Sequence, residues 1–587
     1  MSLNVCWTVL RALPLCLAAG CVIAGEPLKL SGQLAPGGIV ASNFAVSPDG
    51  TRVVFRADRT VDNSFELFSV PIGGGTITNL SGPLDTDASS VVAFAITPDS
   101  SRVIFHADKT TFGTHELYSV GIAGGSPIKI SGTLADGGDV SGFRISPDGS
   151  RVVFRADRET NDVNELFSVS PFGGSIIKIS GDMVTNGQVS PIGGFAISAD
   201  SNTVVFVADK DTNDKNELYS VPITGTSPVK LSGFILPAAG DVSSFLISPD
   251  SSRVVFLADK ATDEVNELYS VPIDGGTIEH ISGTLTPGGL VIDGGYRISA
   301  NSTRVVFMAI KDTPGVIELY SVPIGNGTIV KPSGTLITDG GVTLLALSPN
   351  SNRVVFSARK DSAAPVELYS APIAGTIPVK LSGTMTGGGN VETDFAVSAD
   401  SARAVFRANR EDAAKVELYS TPLAGGAPIK LSGPLVTGGD VAKFFLSPDG
   451  SQVGFVADKE TNGTNELYAT PIASGPIMKL SGTMVAFGNV ENEFVFAPDS
   501  TKVLFRADKE VIGAVELYIS ASQAKSLLDI DGNGTVDALT DGVLLLRWQL
   551  GFRGAALTTG ATGTGATRSP DQIEAYLQRL DVQTSPN

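Results

Sequence analysis

The chain has 587 residues, of which 42% are hydrophobic and only 18% charged, so it can bury a large core. Its 61 acidic residues outnumber 42 basic ones and give a net charge of −19. Phosphate contacts need a clustered basic surface, and this balance argues against a protein that binds nucleic acid.

Residues 1–24 predict a secretory signal peptide. Arg11 precedes an apolar run that continues to about residue 24 and is too short to cross a bilayer. All three cysteines of the chain lie in this segment: Cys6, Cys16 and Cys21. The mature chain would therefore contain no disulfide, and we expect a secreted or periplasmic protein without a transmembrane segment. A lipoprotein anchored through Cys21 is the less favoured alternative.

One unit of about 50 residues recurs ten times in the following part of the chain. A phenylalanine in a Val-Val-Phe-like segment marks each unit, and successive copies are 49 to 52 residues apart. These phenylalanines are Phe55, Phe105, Phe154, Phe206, Phe256, Phe307, Phe356, Phe406, Phe455 and Phe505. Repetition with this period is typical of solenoids and propellers.

Each unit predicts four antiparallel strands. In the third unit, Phe143–Ser146 is followed by a Pro-Asp-Gly turn and by the Val- and Phe-rich segment Arg151–Ala156. A polar loop then leads to Glu165–Val169, and a Gly-Gly turn leads to Ile176–Ser180. Because no helical period intervenes, the pattern indicates an all-β propeller with four-stranded blades rather than a parallel βαβ fold.

The phase of the repeat predicts how the ring closes. The mature chain opens with a fourth strand alone, Pro27–Gly32, whereas the tenth unit stops near Ser520 without one. The N-terminal strand can therefore complete the last blade and cover two sheet edges. The even spacing favours one ten-bladed ring over two smaller rings, within residues 25–522.

The segment Ser146–Gly181 resembles the repeat of TolB-type, WD-like propellers. The shared features are Ser-Pro-Asp-Gly before the second strand, an Ala-Asp pair at its end, and Leu-Phe in the third strand. The resemblance implies that the loops between strands two and three and between consecutive units share one face. It also implies a binding role, since such propellers bind proteins, cap hydrolase domains or hold sugars. TolB itself has fewer blades and an additional N-terminal domain.

Two sets of repeated carboxylates stand in or beside these loops. One set ends the second strand or lies in the turn before the first: Asp58, Asp108, Asp157, Asp209, Asp259, Asp458 and Asp508, with Asp139, Asp241 and Asp440. They either form a ligand- or cation-binding rim or cap backbone groups of the loops, and their repetition favours capping. A glutamate in each Glu-Leu-Tyr or Glu-Leu-Phe motif repeats ten times, which also indicates a requirement of the fold.

No catalytic motif is recognisable. The sequence lacks a Gly-x-Ser-x-Gly elbow, a His-Glu-x-x-His motif and a phosphate-binding glycine loop. It contains three histidines, and His106 and His115 flank one loop whereas His280 lies three units later. Surface histidines without function are favoured over a two-histidine metal site.

Residues 523–587 differ in composition and predict a small α-helical module. The segment from Asp529 to Asp537 has the spacing of oxygen ligands in an EF-hand loop, with glycine at the sixth position. Two helices are expected after it, at about Gly542–Leu550 and from Ser569 to about Leu580. The module resembles dockerin-type or EF-hand-like calcium modules.

That resemblance implies one calcium ion. The candidate ligands are Asp529, Asp531, Asn533, Thr535, Asp537 and Asp541. The last acid is one residue later than the family places it, and the second loop, residues 560–568, has no acidic residue. Two-site recognition of a docking partner is therefore in doubt.

Together these features predict a non-enzymatic secreted propeller that binds a protein or glycan partner on its loop face, with a calcium-stabilised docking tail. The alternative is an extracellular hydrolase or lyase that acts on polysaccharide or protein at the propeller face. Non-repeated carboxylates, histidines or aromatic residues at the channel mouth would favour the enzyme.

Overall fold

The computed structural model describes residues 26–584, apart from 85–88, 192–193, 237–239, 362–364, 387, 523–529, 532–538, 564–565 and 567, and the side chains beyond residue 578. The predicted signal peptide lies outside the described residues, as do four of the candidate calcium ligands: Asp529, Asn533, Thr535 and Asp537. No described helix is both long and apolar enough to span a membrane.

Ten antiparallel sheets form the blades of one β-propeller, as the repeat predicted. In nine sheets the strands follow chain order from the axis outward, and in blade 10 the outermost strand is the N-terminal β1. The first strands are β2 Val40–Val46, β6 Val91–Ile96, β10 Val140–Ile145, β14 Phe195–Ile197, β18 Val242–Ile247, β22 Val291–Ile298, β25 Gly341–Leu347, β29 Val391–Val397, β33 Val441–Leu446 and β37 Val490–Phe496. The second strands are β3 Arg52–Ala57, β7 Arg102–Ala107, β11 Val152–Ala156, β15 Thr203–Ala208, β19 Arg253–Ala258, β23 Arg304–Ala309, β26 Arg353–Arg359, β30 Arg403–Ala408, β34 Gln452–Ala457 and β38 Lys502–Ala507.

The third strands carry the repeated glutamates, and the fourth strands are two residues long. The third strands are β4 Glu66–Pro71, β8 Glu116–Gly121, β12 Glu165–Val169, β16 Glu217–Pro222, β20 Glu267–Pro272, β24 Glu318–Pro323, β27 Glu367–Pro372, β31 Glu417–Pro422, β35 Glu466–Pro471 and β39 Glu516–Ala521. The fourth strands are β1 Leu28–Lys29, β5 Thr78–Asn79, β9 Ile128–Lys129, β13 Ile177–Lys178, β17 Val229–Lys230, β21 Glu279–His280, β28 Val379–Lys380, β32 Ile429–Lys430 and β36 Met478–Lys479. In blade 6 a single bridge between Ser321 and Val330 takes the place of the fourth strand.

The N-terminal strand closes the ring, as predicted. Strand β1 pairs with β39, with Leu28 opposite Ile519 and Lys29 opposite Tyr518. The next residue, Leu30, donates its backbone N–H to the carbonyl of Leu517 at 2.8 Å. Blade 10 is therefore completed by the two ends of the propeller segment, and neither strand keeps an unpaired edge at this junction.

The hydrophobic core lies between blades rather than at one centre. One cluster joins Val54 and Leu67 of blade 1 to Val91 and Phe105 of blade 2. The equivalent cluster joins Leu504, Leu517 and Ile519 of blade 10 to blade 1. Because neighbouring blades cover both faces of each blade, the side chains on both faces of the buried strands can be apolar. This accounts for their Val-Val-Phe sequences.

The turns between first and second strands also link neighbouring blades. The backbone N–H of Asp250 donates to the hydroxyl of Ser302 in the next blade at 2.9 Å. Ser302 has a φ of 59°, in the left-handed region that favours glycine. Blades 1, 3 and 9 have glycine at this position: Gly50, Gly149 and Gly450. Serine is therefore retained where its hydroxyl binds the preceding blade.

The described residues of the C-terminal part include three helices: α1 Asp541–Gln549, α2 Ala555–Thr558 and α3 Pro570–Thr584. The sequence predicted α1 and α3 to within a few residues but missed the four-residue α2. Ser569 begins α3 as expected: its hydroxyl accepts the Gln572 N–H at 3.4 Å, while its own N–H donates to the Gln572 side chain. The core of this part includes Leu544, Trp548 and Ile573.

Candidate functional site

The antiparallel strand order gives the propeller two different faces. Turns between strands one and two and between strands three and four lie on one face, the turn face. Loops between strands two and three and between consecutive blades lie on the other, the loop face. The first strands of adjacent blades contact one another around the axis, so their loop-face ends form the mouth of the central channel.

The repeated aspartates of the loop face hold its backbone. In blade 3, one carboxylate oxygen of Asp157 accepts the N–H of Asp139 at 2.5 Å and the other accepts the N–H of Asp162 at 3.0 Å. Asp139 in turn accepts the backbone N–H of His115 in blade 2 at 2.6 Å. These bonds support the interpretation that the aspartates cap loops, and they leave the cation-binding rim without a supporting observation.

The repeated glutamates anchor the outer edge of each blade. Glu217 lies 2.6 Å from the ammonium group of Lys230 on the fourth strand and accepts the hydroxyl of Tyr219 at 3.0 Å. Burial, followed by the nearby carboxylates of Glu217 and Asp211, raises the pKa of Tyr219 above its usual range. The glutamate thus belongs to the fold, as its repetition predicted.

The histidines are not all at the surface, contrary to the favoured interpretation. The His106 side chain is largely buried, and its ring centroid lies 5.2 Å from that of His115. Burial first, and then the charge of His115, lowers the pKa of His106 to about 4. His280 lies on the fourth strand of blade 5, at the position where most blades have lysine. Its ring stacks on Tyr269 and lies 3.1 Å from Glu267. No group of three potential metal ligands occurs among the described residues.

The channel mouth is where the blades differ most. A bulge precedes the central aromatic or leucine residue in every first strand except β14, and the bulges differ in length and charge. In blade 8, Asp394 accepts a hydrogen bond from the guanidinium of Arg407 at 2.8 Å. In blade 10, Glu491 and Glu493 lie 3.7 and 3.8 Å from Arg506. Sequence reasoning missed these residues because the bulges interrupt the repeat.

Aromatic side chains accompany these charges. Phe445 of blade 9 is 40% exposed, and its ring meets that of Phe494 edge-on at 4.9 Å. Phe112, on the loop between strands two and three of blade 2, is 61% exposed. Phe445 lies toward the turn-face end of β33, whereas Phe112 lies on the loop face. The loop face therefore combines the paired charges of the mouth with the accessible ring of Phe112, which suits ligand contacts.

Two of the six candidate calcium ligands are described, and both are buried. Asp541 accepts the N–H groups of Ile530 and Asp531 at 2.6 and 3.1 Å through one carboxylate oxygen. Asp531 accepts the N–H of Gly563 at 2.5 Å. These contacts place the displaced acid, Asp541, against the start of the loop to which it was assigned.

Comparison with known proteins finds likeness in structure only. No family model matches the chain, and no curated protein matches it in sequence. A eukaryotic initiation factor matches 69% of this chain and 91% of its own at 14% identity and a TM-score of 0.42. Dipeptidyl peptidase 4 of Porphyromonas gingivalis covers 77% and 68% at 12% identity and a TM-score of 0.44.

A putative TolB of Agrobacterium tumefaciens is also similar, covering 40% of this chain and 80% of its own at 19% identity and a TM-score of 0.26. The number of blades and the closure of the ring follow from the strand order itself rather than from these likenesses.

Proposed function

We propose that the protein is a secreted or periplasmic, non-enzymatic propeller that binds a protein or glycan partner at the channel mouth of its loop face. The observation that carries the proposal is the distribution of repeated and non-repeated side chains. Repeated charges such as Asp157 and Glu217 are engaged in the fold, whereas non-repeated residues gather in the bulges of the mouth. Function on a repeat scaffold resides where the repeats diverge.

Binding is favoured over catalysis because carboxylates of the mouth in blades 8 and 10 are paired with guanidinium groups, and Asp293 of blade 6 accepts a hydrogen bond from the hydroxyl of Ser244. Asp394 is hydrogen-bonded to Arg407, and Glu491 and Glu493 flank Arg506. These carboxylates are engaged by neighbouring guanidinium groups, which limits their contact with a substrate. The same ion pairs keep their charges ordered for recognition of a partner.

The test is a binding screen on an array of glycans and extracellular proteins. We expect ligands whose signal falls in Phe112→Ala, on the loop face, but not in Phe172→Ala. Phe172 is 66% exposed on a turn between strands three and four and is therefore a matched control on the opposite face. Binding that both substitutions weaken equally, or no binding by the folded protein, would contradict the proposal.

A hydrolase or lyase acting at the same face is the second candidate. Its supporting observation is the adjacent pair His106 and His115, which the repeat does not contain elsewhere. Product release from polysaccharide or protein substrates, lost in His115→Gln, would support the enzyme. Release of no product by protein that still binds its array ligand would support the binding role.

We also propose that the C-terminal module binds one calcium ion and serves for docking. Asp531 and Asp541 supply buried carboxylates, and oxygen donors suit this hard cation. Calorimetric titration of the full chain should give one site, and Asp531→Ala should abolish it. A chain ending at residue 522 is the control and should show no calcium heat. Equal heats from the full and shortened chains would contradict the assignment.

Secretion is tested separately by sequencing the N-terminus of the mature protein. Cleavage after Ala24 would support the signal peptide, whereas a blocked, lipid-modified Cys21 would support the lipoprotein alternative.

A further inference from the structure

One position of the second strand carries a cationic or histidine side chain in blades that follow one another around the ring. It comes directly after the central phenylalanine and pairs with the leucine of the third strand. The residues are Arg506 in blade 10, Arg56 in blade 1, His106 in blade 2 and Arg155 in blade 3. Arg407 of blade 8 is the remaining basic residue at this position, and the other blades have uncharged side chains there: Val207, Leu257, Met308, Ser357 and Val456.

The counter-charge of this position comes from the bulge of the first strand. Blade 8 supplies Asp394 to Arg407, and blade 10 supplies Glu491 and Glu493 to Arg506. In blades 1 to 3 the bulges contain no acid and consist of neutral residues: Ala41, Ser42, Asn43, Val92, Ala93, Ser141 and Gly142. Arg56 and Arg155 therefore lack the acidic partner that a first-strand bulge provides in blades 8 and 10, and His106, with a pKa of about 4, is neutral at pH 7.

The contacts of the individual side chains agree with this comparison. Arg56 lies over the ring of Phe65 at 5.6 Å, and its Nε has no hydrogen-bond partner among the described residues. Arg155 donates to the hydroxyl of Ser141 at 2.7 Å. His106 keeps Nε2 without a partner in the described part of the chain. Burying the guanidinium groups of Arg56 and Arg155 without a counter-charge is unfavourable, so an anion that reaches them gains charge-assisted hydrogen bonds.

We propose that blades 1 to 3 bind the carboxylate of an acidic oligosaccharide at the channel mouth. Arg56 of blade 1 and Arg155 of blade 3 each pair with a separate carboxylate of the oligosaccharide, whereas the hydroxyl and amide groups of Ser42 and Asn43 suit the sugar hydroxyls. The exposed ring of Phe112 offers an apolar surface to a sugar ring. An acidic peptide shares the charge but not the ring hydroxyls. This inference rests on the proposed binding function and specifies its ligand class.

The experiment compares oligouronate pentasaccharides with their methyl esters, which differ only in the charge of the carboxylate. We expect the acid to bind full-length protein and the ester to bind at least about tenfold more weakly, since a hydrogen bond to a charged group is worth more than a neutral one. If the pairing is electrostatic, raising the salt concentration should weaken binding of the acid. Equal affinity for acid and ester would overturn the inference.

Variants taken from the repeat itself identify the site without disrupting the fold. Arg56→Met and Arg155→Met introduce the residue that blade 6 already has at this position, Met308. Each should reduce affinity for the acid about tenfold while leaving binding of the ester unchanged. The matched control is Arg253→Met, at the turn-face end of a second strand, where the guanidinium donates to the hydroxyl of Ser270. It removes the same charge on the opposite face and should have no effect on either ligand.

The outcomes separate this inference from the proposed function. Array binding that depends on Phe112 but not on Arg56 or Arg155 would leave the binding function standing and refute the acidic ligand. Binding of poly-glutamate in preference to oligouronates would replace the saccharide by an acidic peptide. Failure to bind any ligand on the array would contradict both proposals.

Discussion

Because the N-terminal strand closes the ring, we predict that Leu30→Ala destabilises the protein. Leu30 is 1% exposed and packs with Val40 of blade 1 and Leu517 of blade 10. Its backbone N–H bonds to the Leu517 carbonyl at 2.8 Å. The side chain therefore fills the last interface of the ring although it lies only a few residues after the predicted signal peptide.

The expected loss of stability follows from the buried apolar surface that the substitution removes and from the cavity that it leaves. Leucine-to-alanine substitution at a fully buried site costs about 2–5 kcal/mol, and Leu30 should fall within that range. Leu231 has the same place in blade 4, is also 1% exposed, and bonds to the Leu218 carbonyl at 2.7 Å. Leu231→Ala should therefore destabilise about equally. Leu28→Ala, at a residue that is 44% exposed, should change stability little.

The assay is urea unfolding followed by far-ultraviolet circular dichroism, together with hydrogen exchange at the amides of residues 30 and 517. We expect both buried variants to lower the unfolding midpoint and Leu30→Ala to increase exchange at the junction of blades 10 and 1. A Leu30→Ala variant as stable as the wild type, beside a destabilised Leu231→Ala, would mean that closure adds nothing and would refute the argument.

Three further predictions concern polar groups. His106 has a folded-state pKa of about 4 against an ordinary value of 6.5, so the folded state excludes a proton that the unfolded chain binds. Stability should therefore fall as pH falls from about 6.5 to about 4, by at most about 1.4 kcal/mol per pH unit, and His106→Phe should flatten this part of a urea-midpoint profile. Asp157→Ala should lower stability by about 1–3 kcal/mol and speed hydrogen exchange at residues 139 and 162, since both amides lose their acceptor; unchanged exchange would contradict the capping role. Ser302→Ala should melt below Ser302→Gly because both variants lose the inter-blade bond but only alanine keeps a side chain in the left-handed φ region; equal melting temperatures of Ser302→Ala and the wild type would show that the bond does not matter.

Much of the propeller followed from the sequence because its decisive interactions are local and repeated. Alternation of apolar residues and short turns specify antiparallel pairing between strands that follow one another, as in Arg151–Ala156 and Glu165–Val169. The isolated fourth strand Pro27–Gly32 predicted the pairing of Leu28 with Ile519 for the same reason: only one blade lacked that strand. The capping Ser569 was likewise a local signal.

The channel mouth was decided by tertiary structure. A charge directly after the central phenylalanine of the second strand is paired only if the bulge of the first strand supplies an acid, as Asp394 does for Arg407. Because the bulges vary in length, the repeat period does not align their residues. Burial of His106 similarly arises from the neighbouring blade, which the sequence places far along the chain. The sequence by itself determined how many blades form and how they close, because those depend on pairing between adjacent strands. Only the folded structure determined that Arg56 and Arg155 lie beside first-strand bulges without an acid, because that outcome depends on where each bulge falls when the strands of a blade pair.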